Sequence, residues 1–142
     1  SEIQKCRSRY VDLVNVRSTR DIVRRLRDGG LVWFAYDQDL GLKGSVFAPF
    51  FENLAATVIT PARIVETTQC TPVFLSCTRA GREYRLKFDE FPDWYPSSDH
   101  IHNATIINRF VEKVLAIAPE QYMWMHRRFK TRPEHESGNF YD

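Results

Sequence analysis

Leu31-Val32-Trp33-Phe34-Ala35-Tyr36, followed at once by Asp37-Gln38-Asp39-Leu40-Gly41, is the stretch on which the fold turns. Its continuous apolar, β-favouring run is too short for a helix. It reads as a strand buried on both faces in an α/β sheet. The polar, glycine-punctuated segment 37–45 then lies at the strand's carboxyl end, where open α/β sheets bind ligands. Asp37 and Asp39 sit two apart, so an extended backbone points both to one side. By residue type they suit orienting a catalytic base, binding a sugar hydroxyl or holding a divalent metal. A loop cap, in which they satisfy backbone N–H groups, accounts for them equally.

Upstream, Ser18 or Thr19 caps a helix with Asp21 in its first turn, Ile22, Val23 and Leu26 form its apolar stripe, and Gly29-Gly30 ends it. Residues 1–16 show no clear period. Downstream, 46–51 is a second apolar run broken by Pro49, an edge or irregular strand. Thr60-Pro61 opens a helix through Thr68, with Ala62, Ile64 and Val65 inward. Residues 72–77 form a strand, and Arg79-Ala80-Gly81 turns into a second strand at 83–88. A loop with Pro92 and Pro96 leads to a long helix over 103–118, for which Asp99 is the cap. Helix, strand, helix, strand, hairpin and helix make a layered α/β arrangement.

With 142 residues, 43% hydrophobic and 13% aromatic, the chain suffices for one domain with a real core and is not a disordered polymer. The formal charge of +2 excludes a polycation. The cations are nevertheless clustered, at Arg17, Arg20, Arg24, Arg25 and Arg27 and again at Arg127, Arg128, Lys130 and Arg132. Such clusters suit anionic ligands or an anionic membrane surface, and equally suit solvated helix faces. Cys6, Cys70 and Cys77 have no C-x-x-C spacing and read as reduced thiols. No apolar run approaches the ~20 residues that span a bilayer, and no signal peptide is expected. Met123 and Met125 are the only methionines, so the chain is expected to be a fragment, a processed product or a trimmed form.

The closing segment Ala118-Pro119-Glu120-Gln121-Tyr122-Met123-Trp124-Met125-His126-Arg127-Arg128-Phe129-Lys130-Thr131-Arg132-Pro133 reads as a helix begun by Pro119. Tyr122, Met125 and Phe129 share its buried face, leaving Arg127, Arg128 and Lys130 free for anions; Trp124 and Met125 are read as core packing. This run closely resembles the C-terminal signature of the bacterial lipid A late acyltransferases, the lauroyl- and myristoyltransferase family. Residues 31–51, with the Asp-Gln-Asp-x-Gly loop and Phe47-Ala48-Pro49-Phe50-Phe51, resemble that family's central block. Ala55-Ala56-Thr57 and Pro61-Ala62-Arg63 resemble the block after it. The resemblance runs from about Arg7 to Tyr141.

It implies that 1–142 is a single domain, an N-terminally truncated piece of a glycerolipid-acyltransferase-like mixed sheet flanked by helices. It further implies acyl transfer from an acyl carrier protein or coenzyme A thioester to a hydroxyl of a lipid A precursor, on the cytoplasmic face of the bacterial inner membrane. No cofactor, metal or nucleic acid is implied. Asp37, Gln38 and Asp39 would shape the site, Arg127, Arg128 and Lys130 would bind substrate, and Arg7 and Arg9 resemble the tail of a phosphate-contacting block. Phe47, Phe50 and Phe51 are either core or the wall of an acyl groove. Two features depart from the family. Five residues after His100, His102, His126 and His135 stand Thr105, Ile107, Thr131 and Phe140, so the family's His-x-x-x-x-Asp base is absent and the chain alone is expected to be inactive. Leu75-Ser76 stands where the family usually has a second proline. A sheet lacking strands supplied upstream would leave an exposed edge and a partly uncovered core.

Two other classes stay open on the residues. One is a metal-dependent glycosyltransferase-like domain using Asp37 and Asp39; the other is a non-catalytic module binding an anionic lipid surface or nucleic acid. His100-x-His102 beside Asp99 reads as a helix N-terminus, since no second ligand pair accompanies it.

Overall fold

The computed structural model describes residues 2–14, 18–134 and 140–141; Arg17 and His135 lie outside them. The architecture is α/β, as expected, with its described strands in two antiparallel pairs. A short exposed helix α1 (Glu2–Arg7) buries no residue. Helix α2 (Thr19–Arg27) buries Ile22 and ends as expected. The Gly30 N–H returns to the Arg25 carbonyl at 2.8 Å, and a Cβ at Gly30 would meet that same oxygen at 2.8 Å. Only glycine fits so close an approach.

Strands β1 (Ser45–Phe50) and β2 (Asn53–Val58) pair with Phe47 opposite Ala56 and Pro49 opposite Leu54. The sequence reading anticipates β1 but not β2, whose Ala55-Ala56-Thr57 lacks bulky β-formers. Packing explains the strand: Ala48, Ala55, Ala56 and Thr57 are almost wholly buried, and their small side chains let a helix lie close on the sheet. That helix is α4 (His100–Ile117), which buries Ile107, Phe110 and Leu115. Its cap is Asp99, which accepts from the Ile101 N–H at 2.8 Å and the His102 N–H at 3.1 Å. Asp99→Ala is expected to lower stability by about 1 kcal/mol in urea denaturation, while Asp99→Asn loses less.

Helix α3 (Thr60–Thr68) starts at Pro61 as expected and buries Ala62, Ile64 and Val65. Strands β3 (Val73–Ala80) and β4 (Glu83–Glu90) form the second pair, with Leu75 opposite Phe88 and Cys77 opposite Leu86. Phe74 turns inward and stacks on Phe110 with ring centroids 4.8 Å apart. Ala62, Val65, Tyr95 and Ile107 form one core cluster; Phe50, Ala55 and Leu115 form another under β1–β2.

Two expectations are corrected. Residues 31–36 alternate in burial, with Val32, Phe34 and Tyr36 half-buried and Leu31 and Trp33 exposed, but they form no strand and pair with no described strand. The β-favouring run is there; the neighbour that would complete a ladder is not among the described residues. Residues 119–133 do not continue as a helix. A single 3-10 turn, Pro119–Gln121, gives way to extended backbone at Tyr122 and then to turns. Met125 is 92% exposed and Trp124 60%, so neither is core. Side-chain bonds to the rest of the fold hold this segment, and they override its helical spacing.

Candidate functional site

The loop at 37–41 and the closing segment, the two features singled out in the sequence, meet in space. Asp39 is buried, and both its oxygens are engaged. Oδ1 accepts from the Gly41 N–H at 2.8 Å and the Thr131 hydroxyl at 2.9 Å, and Oδ2 accepts from the Thr131 N–H at 2.8 Å. Gln38 Nε2 lies 3.2 Å from His126 Nε2. Tyr122 offers its hydroxyl to the Asp37 carbonyl at 3.4 Å. Asp39 therefore ties the loop to the terminal segment. The carboxylate of Asp37 has no hydrogen-bond partner among the described residues and lines a cavity of about 230 Å³.

That cavity runs from Asp37, Gln121 and Tyr122 to an apolar floor of Phe74, Val111 and Leu115. Burial first, then the Asp37 charge, pushes the Tyr122 hydroxyl up to about 12. Its proton is thus held more tightly in the folded chain than in the unfolded one. The associated stability is complete below about pH 10 and is lost as pH rises towards 12, since the unfolded state then sheds more protons. We expect stability to fall in that window, and Tyr122→Phe should lessen the fall in a fluorescence-monitored pH titration, while Tyr36 and Tyr95, whose hydroxyls burial also pushes up, sustain the remainder.

Arg128 is the second surprise. Its guanidinium is buried, donating to the Ala56 carbonyl at 2.7 Å, the Thr57 hydroxyl at 2.8 Å and Asn108 Oδ1 at 3.2 Å, with the Phe50 ring 5.2 Å beneath. Burial lowers its proton affinity, while Tyr122, Asp39 and Asp37 counter that shift. An arginine so placed stays charged and acts as a clamp between β2, α4 and the terminal segment. The expectation that Arg128 is free for anions is corrected accordingly. Arg127 and Lys130 are exposed, with Arg127 5.7 Å over the Tyr141 ring. Arg7 and Arg9 are exposed on and just after α1, and no hydrogen bond or ion pair joins them to the loop. Of the early cluster, Arg24 pairs with Asp21 at 3.3 Å and Arg25 with Asp12 at 3.0 Å, both on the surface.

Phe50 lies in the core beside Leu115, Phe47 is half-buried and Phe51 half-exposed; none of them lines either cavity. The apolar space lies instead beside 31–37 and β3. Phe34, Phe74 and Asn108 are positions the sequence reading passed over. Asn108, polar inside the apolar period of α4, was the one legible signal. Among the described residues no group of three His, Cys, Asp or Glu gathers as for a metal, and no helix is long and apolar enough to cross a membrane.

Asp37 thus lines a cavity whose other walls are largely apolar, on a loop that Asp39 ties to the terminal segment. The chain belongs to the family of bacterial lipid A biosynthesis acyltransferases, whose pattern it matches over residues 3–131. It is 41% identical to a lipid A biosynthesis palmitoleoyltransferase of Escherichia coli over 131 residues, which is 88% of the chain and 42% of that protein. With the lauroyltransferase of the same organism it shares 36% identity, covering 86% of the chain and 41% of the relative. The myristoyltransferase is 29% identical over 80% of the chain and 36% of its own length. The chain thus spans less than half the length of these relatives.

Proposed function

We propose that this chain is part of an enzyme that moves a fatty acyl group from an acyl carrier protein or coenzyme A thioester to a hydroxyl of a lipid A precursor, on the cytoplasmic face of the bacterial inner membrane. The acceptor oxygen attacks the thioester carbonyl, a C–O bond forms and the C–S bond breaks. The hydroxyl proton passes to a general base and on to the leaving thiolate. None of the chain's histidines carries the His-x-x-x-x-Asp spacing, so that base comes from outside these residues.

The observation that carries this reading is the placement of Asp37, a carboxylate without a hydrogen-bond partner among the described residues, on a loop pinned by Asp39 and opening on an apolar cavity. The cavity suits the acyl chain, and Asp37 the polar end beside it. Arg127 and Lys130, exposed on the terminal segment that Asp39 ties to this loop, suit the acceptor's anionic head. Glycosyl transfer around a metal is the weaker alternative, because Asp39 already spends both oxygens on protein donors.

The test is a chimera in which this chain replaces the matching stretch of the Escherichia coli palmitoleoyltransferase, assayed with acyl carrier protein thioesters and a lipid A precursor. The chimera is expected to transfer acyl groups and the chain alone to transfer none. Asp37→Asn should lower the chimera's kcat about tenfold or more. A folded chimera without transfer would overturn the reading, as would activity of the chain alone for the missing base.

A further inference from the structure

Among the described residues, Asp37 is the only charged one lining the 230 Å³ cavity. A second cavity, of about 330 Å³, adjoins it, and the two share Trp33, Phe34, Tyr36 and Leu75. Trp33 and Leu75 are exposed and form the rim, so the half-buried Phe34 and Tyr36 stand between the two chambers. The Tyr36 ring lies 6.1 Å from that of Phe74 on the floor of the first. Its hydroxyl makes no hydrogen bond to a described residue, so turning the ring aside breaks none.

The second chamber differs in chemistry. No charged residue among those described lines it. Ile22 and Leu26 come from α2, Ile64 and Val65 from α3 and Ile107 from α4. Its polar side chains are neutral, and one of them, Tyr95, is only 7% exposed with its hydroxyl unpartnered among the described residues. A charged head entering there would lose its hydration with no opposite charge to offset the loss, whereas an uncharged chain gains by burial. An amphiphile therefore lies with its polar end at Asp37 and its tail in the second chamber. Size calls for both chambers. If a methylene takes about the space of a water, ~30 Å³, the first cavity holds roughly eight. Lauroyl, the shortest acyl group in the names of the three relatives above, is longer than that.

We infer that the two cavities form one path for an acyl chain, and that Tyr36, standing between them, sets how long a chain the enzyme accepts. The identity of the occupant as an acyl chain rests on the proposed function; the path itself rests on the shared wall and the uncharged second chamber. Tyr36 acts on the tail of the chain and takes no part in the bond change.

The chain's own thiols report the path. Cys77 lines the first cavity, Cys70 the second, and Cys6 is exposed on α1 and lines neither. Their labelling by N-ethylmaleimide is followed with octanoyl and palmitoleoyl coenzyme A as probes. Both probes are expected to slow Cys77 about tenfold, only the palmitoleoyl probe to slow Cys70 as much, and neither to change Cys6. Protection of Cys70 by both probes or by neither overturns the path, as does protection of Cys70 with Cys77 left reactive. In the chimera, Tyr36→Ala should raise the ratio of kcat/KM for palmitoleoyl over lauroyl acyl carrier protein about tenfold. Cys70→Phe, which fills the second chamber, should lower that ratio about as much, and Tyr36→Phe should leave it unchanged. A ratio does not depend on the fraction of protein folded, so partial misfolding does not imitate the effect. An unchanged ratio in Tyr36→Ala overturns the role of Tyr36. Thiol protection in the expected pattern, with no transfer by the chimera, rejects the functional reading and leaves the path standing.

Discussion

Arg128→Met is expected to destabilise the chain by about 3 kcal/mol, a fall in melting temperature of roughly 10 °C. The substitution nearly conserves side-chain volume and keeps the contact with Phe50, so packing is not the main loss. What disappears is the guanidinium that donates to the Ala56 carbonyl, the Thr57 hydroxyl and Asn108 Oδ1. Asn108 still bonds Thr57 at 3.1 Å and the Pro49 carbonyl at 2.8 Å, but the Ala56 oxygen is left buried with its donor gone. Arg128→Lys should recover less than half of the loss, because a single ammonium cannot replace a planar fork reaching three acceptors. Urea midpoints of the three proteins decide it. A Lys variant equal to wild type would show that charge alone holds the segment.

Asp39→Ala and Asp37→Ala should part company. The first removes an acceptor of three hydrogen bonds, two of them from Thr131, and is expected to cost about 2–4 kcal/mol and to release the terminal segment. Limited proteolysis reads this directly, as faster cleavage after Arg127 and Lys130. Asp37→Ala breaks no side-chain hydrogen bond and should leave stability within about 0.5 kcal/mol, while lowering acyl transfer in the chimera. Equal losses of stability would contradict the division of labour between the two carboxylates.

That division could not be read from spacing. Two acids two residues apart look equivalent on a line; only the approach of Thr131 from 92 positions away separates them. The helices α2, α3 and α4 were legible because caps, prolines and apolar periods are local signals, and so was the β3–β4 hairpin. Strand β2 was hidden because its alanines were selected for closeness to α4 and not for β-propensity. The terminal segment misled for a related reason. Tyr122 and Phe129 do face the fold, at helical spacing, yet Arg128 between them is drawn inward by acceptors on β2 and α4. A fixed cation in a run of cations is ordinarily read as solvent-facing, and nothing local marks the one that is not.

The Gln121 side chain, which binds both backbone groups of Arg79, also acts as a gauge. Its amide takes the place of a peptide unit at that rung. Any strand that paired along the outer edge of β3 would stop short of Arg79, within Val73–Thr78, a reach of roughly 20 Å. Shortening the side chain in Gln121→Ala would remove the stop and leave the Arg79 backbone groups open.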